Sequence, residues 1–303
     1  MIKRHAYMIV AHDQEELLQI LIRALDSIEN DIFVHIDKDS SINMDKIKGI
    51  TTQSKLYIIP RQKVSWGGYS LVKVEMALLK EATQRCSYSY YHLLSGVDLP
   101  LKGIEEVNEF YNSNYGKQFI NIRSPKEFKK YYNQRVAYKM PFKERWGKEI
   151  NFFKVADKLL VQLQKILGLK NKNLEEKDFC FGSQWWDITD DLARYILKNS
   201  NQIEQTYKYS SCADEIFVQS LILNTKYWEE IYIPEFNNQM AGNMRWITIP
   251  EGKSSPLTID DTLIEEAKSS GMLWARKFDY DKFPNVVNDL IRSNKKVQFN
   301  GEE

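Results

Sequence analysis

The residues best placed to do chemistry are Asp214 and Glu215, adjacent carboxylates in Ser211-Cys212-Ala213-Asp214-Glu215-Ile216-Phe217. They precede an apolar run, Ile216, Phe217, Val218, Leu221, Ile222 and Leu223, that reads as a helix. In the first turn of such a helix the positive end of the dipole favours their ionised forms, and a carboxylate held there can serve as a base. An acidic first turn that only stabilises its helix has the same signature. What distinguishes the two is the company the pair keeps. Two cationic spots stand further on, Arg245 in Asn243-Met244-Arg245-Trp246 and Arg276-Lys277 in Trp274-Ala275-Arg276-Lys277-Phe278-Asp279. The forked donors of arginine suit phosphate oxygens, so cations set among aromatic residues could neutralise a diphosphate. Each could equally be one half of an ion pair.

Asp37-Lys38-Asp39 has a spacing that can hold a divalent ion, but it follows an early strand. A metal-binding pair is expected after the strand that ends near Asp98, where Ser95-Gly96-Val97-Asp98 offers a single carboxylate, a poor cage for magnesium or manganese. No metal and no other cofactor is expected. Asp37 reads either as a crevice residue accepting hydrogen bonds from a base or ribose, or as part of a structural turn. His12 and His35 flank the same crevice, and neither has a histidine partner at metal-ligand spacing. His12 could touch a base, whereas His35 should point into the sheet. No Gly-x-Ser-x-Gly elbow occurs, and Gly67-Gly68 is too short for a phosphate loop.

The elements that must position these residues alternate between strand and helix. Ala6 to Val10 reads as a strand, and Asp13 with Glu16 makes a capping-box pattern before Leu17, Leu18, Leu21, Ile22 and Leu25 at helical spacing. Strands at Ile32–Ile36, 56–59 and Tyr90–Leu94 and a helix from Ser70 to Ala82 continue the pattern. Such β-α-β order predicts a mostly parallel sheet flanked by helices, with a ligand crevice at the carboxyl ends of its strands. From about residue 126 to 172 the chain turns basic, aromatic and weakly patterned, which marks an inserted subregion. One domain over 1–295 and a polar, frayed tail over 296–303 complete the partition.

Composition narrows the function classes. The 303 residues are 43% hydrophobic, enough for a sizeable core. Forty-two basic against 41 acidic residues leave a charge of +1, which argues against nucleic acid as a partner. Cys86, Cys180 and Cys212 are odd in number and scattered, predicting a reducing, cytoplasmic setting rather than a disulfide framework. The longest apolar runs fall well short of a membrane span or a signal sequence. Aromatics reach 13%, and their flat apolar faces with polar tips suit sugar rings.

Read in order, the motifs resemble the core-2/I-branching N-acetylglucosaminyltransferase and peptide O-xylosyltransferase family. The similar segments are Ala6-Tyr7-Met8-Ile9-Val10-Ala11-His12, Phe33-Val34-His35-Ile36-Asp37, Trp66-Gly67-Gly68-Tyr69-Ser70-Leu71-Val72 and Leu94-Ser95-Gly96-Val97-Asp98-Leu99-Pro100-Leu101-Lys102. Phe181-Gly182-Ser183-Gln184-Trp185-Trp186, Ala213-Asp214-Glu215 and the two cationic segments follow in the family's order. The resemblance implies an α/β fold of the Rossmann-like GT-A type, a UDP-sugar donor, inversion at the anomeric carbon and independence from metal. It implies Glu215 as general base, Arg245 and Lys277 on the diphosphate, and Ala11, His12, Asp37, Trp66, Ser95 and Gly96 around the donor. Asp98, Gly182, Ser183, Trp185 and Asp214 are candidates for contact with sugar or acceptor. The family's usual proline before Asp-Glu is Ala213 here, and the membrane anchor and disulfides of its animal members are missing.

Tyr131 and Tyr132, in the subregion least like a template, are candidate acceptor-binding rings. The expected acceptor is a glycan or a lipid-linked oligosaccharide, and a cytoplasmic enzyme could meet the latter at the inner face of the plasma membrane. From Phe152 to Leu169, apolar residues mingle with Lys154, Lys158 and Lys165 in a basic amphipathic pattern. Such a helix either packs on the protein's own core or lies on an anionic membrane. N-acetylglucosamine is the foremost donor sugar, with xylose or another hexose as the nearest variant. A non-catalytic glycan-binding protein on the same fold is the rival from another class.

Overall fold

The computed structural model describes residues 4–236, 240–250 and 255–299 of the chain. Four apolar runs form parallel strands: β1 (His5–Ala11), β2 (Asn30–Ile36), β3 (Lys55–Ile58) and β4 (Tyr90–Ser95). After β4 the chain leaves this sheet through β5 (Leu99–Pro100), and it returns as β6 (Asp187–Thr189), antiparallel to β4. The order is β3-β2-β1-β4-β6, with Ile9 opposite both Val34 and Leu94. The strand order reverses about β1, so the β1–β4 border is the switch point at which doubly wound sheets open a crevice. A smaller sheet pairs β5 with β8 (Trp274–Ala275) and β8 with β7 (Arg245–Trp246), bringing both cationic segments to the end of β4.

Both sheet faces are covered, which is why the strands read as continuous apolar runs rather than as alternating ones. Ala6, Met8, Phe33, Tyr91 and Leu93 face one core, against the helices Tyr69–Arg85 and Asp190–Lys198. Tyr7, Ile9, Val34, Ile36 and Leu94 face the other, against the helices Glu15–Ala24 and Ile104–Ser113. The period-two alternation of strand side chains sorts neighbours such as Met8 and Ile9 to opposite layers.

Three local expectations change. The capping box at Asp13 does not form: the helix begins at Glu15 behind Gln14, whose backbone is left-handed and caps nothing with its side chain. That side chain instead reaches Asp281 and the backbone N–H of Tyr280, so a tertiary contact displaces the local one. Asp214 and Glu215 are not in an α-helical first turn. They lie in the 3₁₀ turn Ala213–Glu215, one step before the short helix Phe217–Ile222. Finally, the terminal helix Pro284–Phe299 runs through part of the stretch expected to fray, and residues 300–303 lie outside the described ones.

Gly182 is fixed by a backbone crossing. A Cβ there would lie 1.8 Å from the carbonyl oxygen of Asn121, so any side chain would force the two segments apart. Sequence analysis makes Gly182 a candidate substrate contact; its requirement for glycine has this structural cause.

Candidate active site

Glu215 is the more exposed member of the acidic pair, with its side chain 36% accessible, and Asp214 is buried. Arg135 donates from Nη1 to Glu215 Oε2 and is itself braced against aromatic faces, its guanidinium 4.7 Å from the Tyr131 ring and 5.5 Å from that of Phe181. Burial, with the neighbouring charge of Glu215, pushes the Asp214 carboxyl up to about 7, and its Oδ1 has no hydrogen-bond partner among the described residues. This reverses the expected effect of a helix start: desolvation outweighs the field of a helix only six residues long. Behind the pair lies Glu75, on the buried face of the helix Tyr69–Arg85. Burial and the charge of Asp214 raise its carboxyl well above the usual range, and Gln184 Nε2 donates to its Oε1 at 2.8 Å.

Beside the acidic turn lies Lys143, from the subregion expected to be an insertion. Lys143 is buried and donates from Nζ to the carbonyls of Trp66 and Gly147 at 2.9 and 2.7 Å. Its ammonium lies 3.6 Å from the Trp146 ring centroid and 5.0 Å from that of Trp66, and burial lowers its pKa to about 8. Gly67 takes a positive φ of 66°, and its carbonyl accepts from Cys212 N at 2.8 Å, which docks the Trp66-Gly67-Gly68 segment onto the acidic turn. Next to it the Glu144 carboxylate accepts from Ser70 N at 2.7 Å and closes the start of the helix Tyr69–Arg85.

Residues 182–185 join this cluster to a second one. Gly182 N donates to Glu215 O at 2.9 Å, Ser183 O accepts from Gln219 Nε2, Gln184 reaches Glu75, and Trp185 lies under Arg276 with 4.6 Å from guanidinium to ring. Arg276 Nε is 3.2 Å from Asp98 Oδ1 but off the line of a hydrogen bond, so both atoms lack a hydrogen-bond partner among the described residues. Ser95 N donates to the other oxygen of Asp98 at 3.0 Å. Burial raises the Asp98 carboxyl, against the pull of Arg276. A partly exposed carboxylate, an arginine with an unsatisfied donor and a buried carboxylate are thereby linked through one short segment.

Arg245 is close enough to Asp98 and Arg276 for its charge to act on both. It is fully buried, and its fork pairs with Asp187 at 2.8 and 3.0 Å, while Asn243 O and Leu93 O take further hydrogen bonds. Asp187 also accepts from Tyr111 at 2.8 Å and pairs with His92 Nδ1 at 3.0 Å. Burial works to raise the Asp187 carboxyl, but Arg245 and His92 outweigh it and hold it low. The arginine that the resemblance assigns to the diphosphate is thus engaged in a core ion pair, with its Nε lacking a hydrogen-bond partner among the described residues. Lys277 is half-buried, near enough to Asp279 for its charge to lower that carboxyl.

The other candidates divide. Ala11 and Gly96 meet at the switch point, where a Cβ on Gly96 would lie 2.9 Å from that of Ala11. His12 is exposed there, 3.4 Å from Asp13. Asp37 spends both oxygens on backbone N–H groups, of Asp39 and Val64 at 2.7 Å each; the second bond pins the segment leading to the half-exposed Trp66. His35 is buried and accepts from Gln62 N, as its place in β2 predicts. Tyr132 is a core residue whose hydroxyl donates to Leu174 O, so it is not an acceptor-facing ring. Tyr131 is half-buried, with its ring under Arg135 and tilted against that of Phe181.

The raised carboxyl of Asp214 makes a pH prediction. Between the ordinary carboxylate pKa of about 4 and the folded value of about 7, the folded chain holds a proton that the unfolded chain has lost. Its contribution to stability therefore declines as pH rises through that window and is level above it. Asp214→Asn removes the titration, so the melting temperature of the variant relative to wild type should rise between pH 5 and pH 8. A difference that stays flat or falls would show that Asp214 ionises normally in the fold.

The description "Core-2/I-Branching enzyme" matches residues 5–265, and the chain belongs to that family, a family of glycosyltransferases. None of the curated proteins matches. Solved structures that overlap it include S. aureus TarS, at 12% identity with a TM-score of 0.28, and Yersinia pseudotuberculosis HddC, at 10% identity with a TM-score of 0.27. The overlap covers 39% of this chain and 20% of TarS, and 40% of this chain and 58% of HddC, too little for either to carry an argument.

Proposed function

We propose that the protein transfers a sugar, N-acetylglucosamine foremost, from a UDP-sugar to a hydroxyl of a glycan or lipid-linked oligosaccharide, by a single displacement with inversion. The observation that carries the proposal is the placement of Glu215, a partly exposed carboxylate at one end of a segment whose other end holds Arg276 and Asp98. The acceptor oxygen attacks the anomeric carbon as its proton passes to Glu215, and the bond from that carbon to the β-phosphate oxygen breaks. Arg276 and Lys277 stabilise the charge that grows on the departing diphosphate, the task a divalent cation performs in other enzymes. Trp66, Ser95 and the small pair Ala11 and Gly96 border the nucleoside side of the crevice, with His12 at its rim. Arg135 engages only Oε2 of Glu215, so proton transfer is assigned to Oε1.

The test is UDP release from a panel of UDP-sugars, each measured with excess EDTA and with manganese. Release from one donor, undiminished by EDTA and weakened by Arg276→Ala, is the expected result. Activity abolished by EDTA and restored by manganese would overturn the cationic role. Release from none, with every sugar merely bound, would favour the glycan-binding alternative.

A further inference from the structure

The helix Phe152–Ile166 is built inside out. Its one buried side chain is an acid, Asp157, which accepts from Phe142 N at 3.1 Å and from Trp146 Nε1 at 2.7 Å. Its large apolar residues point the other way: Phe152 is 78% exposed, Leu159 67% and Ile166 82%, with Val155 and Leu163 about half exposed between them. The intervals of three and four residues place all five on one face. Val161 and Phe153 turn back toward the body, Val161 onto the core and Phe153 against Phe142, and Ala156 and Leu160 are half-buried. Packing on the protein's own core, one of the two readings the sequence leaves open, is therefore excluded for this stripe.

We infer that this face docks on an anionic bilayer. Lys154, Lys158 and Lys165 line one flank of the stripe, Lys170 and Lys172 follow it, and the helix carries no acid except the buried Asp157. Apolar residues that enter the acyl boundary beside lysines that meet anionic headgroups are the two components of an interfacial helix. A second copy of the chain fits less well, because pairing the stripe with itself in an antiparallel two-fold would bring two lysine flanks together. Through Asp157 and Trp146, on its reverse face, the helix adjoins Lys143 and hence the turn that carries Glu215. A docked molecule would hold its acidic turn beside the membrane, where a lipid-borne acceptor is found. The inference is independent of the transferase reading, since membrane binding can be measured with no sugar present.

The experiment is co-sedimentation of the full chain with phosphatidylcholine vesicles, with and without about one-third phosphatidylserine, at low and raised salt. Wild type should bind the anionic vesicles at least about tenfold more tightly than the neutral ones, and salt should weaken binding. Leu159→Glu with Leu163→Glu should abolish binding. Lys158→Glu, Lys165→Glu and Lys170→Glu together should weaken it about tenfold or more. All five positions are exposed, and an unchanged melting temperature certifies each variant as folded. Absence of wild-type binding at low salt would overturn the inference, as would binding that survives both sets of substitutions. A concentration-dependent dimer that the leucine substitutions dissociate, with no vesicle binding, would assign the face to a second copy instead.

Discussion

Glu215→Gln is expected to lower turnover about a hundredfold or more while donor binding stays within a few-fold of wild type. The substitution keeps the size and one hydrogen-bond acceptor of the side chain but removes its basicity, and loss of a general base costs a factor of 10² to 10⁴. A hundredfold corresponds to about 2.7 kcal/mol of barrier. Because Arg135 binds Glu215 from a position braced by Tyr131 and Phe181, the amide should be held where the carboxylate was. The loss then belongs to kcat rather than to placement. The measurement is initial rate against donor concentration for both proteins. A variant within a few-fold of wild type in kcat would remove Glu215 from the mechanism.

The second large effect is on stability. Arg245→Met should destabilise the fold by about 3–5 kcal/mol, the usual consequence of breaking one side of a buried ion pair. It strands Asp187, a fully buried carboxylate between β4 and the smaller sheet, with Tyr111 and His92 as its remaining partners. Thermal unfolding should shift downward by on the order of 10 °C. A variant that melts with wild type but no longer binds donor would assign Arg245 to the diphosphate site. The contrast with Arg276→Ala is informative, because Arg276 is partly exposed over Trp185 and its loss should affect donor binding more than melting.

That contrast also marks how far the sequence could be read. The parallel strands were legible because both of their faces are buried, which leaves unbroken apolar runs such as Ala6 to Val10 and Ile32 to Ile36. Glu215 and Asp98 are singled out as candidates by their neighbours in the chain. Arg245 and Arg276 were not separable: both follow apolar residues in short strand-like segments, and only the tertiary position of Asp187 buries one of them. Asp187 itself left a trace, a lone charge inside the strand-like Trp185-Trp186-Asp187-Ile188. Glu75 left another, since it falls on the same helix face as Val72, Leu78 and Leu79. Arg135 and Lys143 left none, because one lysine or arginine among many carries no mark of the tryptophan or carboxylate that folding will set against it. The Phe152–Ile166 pattern disclosed an amphipathic helix but not its orientation, which Asp157 decides through a hydrogen bond with Trp146.

The central claim is a single displacement at the anomeric carbon with Glu215 as base, and the configuration of the first-formed product tests it most directly. Proton NMR of the reaction with the α-linked UDP-sugar that supports turnover would follow the anomeric signal before any mutarotation or secondary transfer. The account predicts a β-linked product in wild type, and the same β-linked product formed about a hundredfold or more slowly with Glu215→Gln. An α-linked first product would contradict single displacement and would require a mechanism in which Glu215 is not the base.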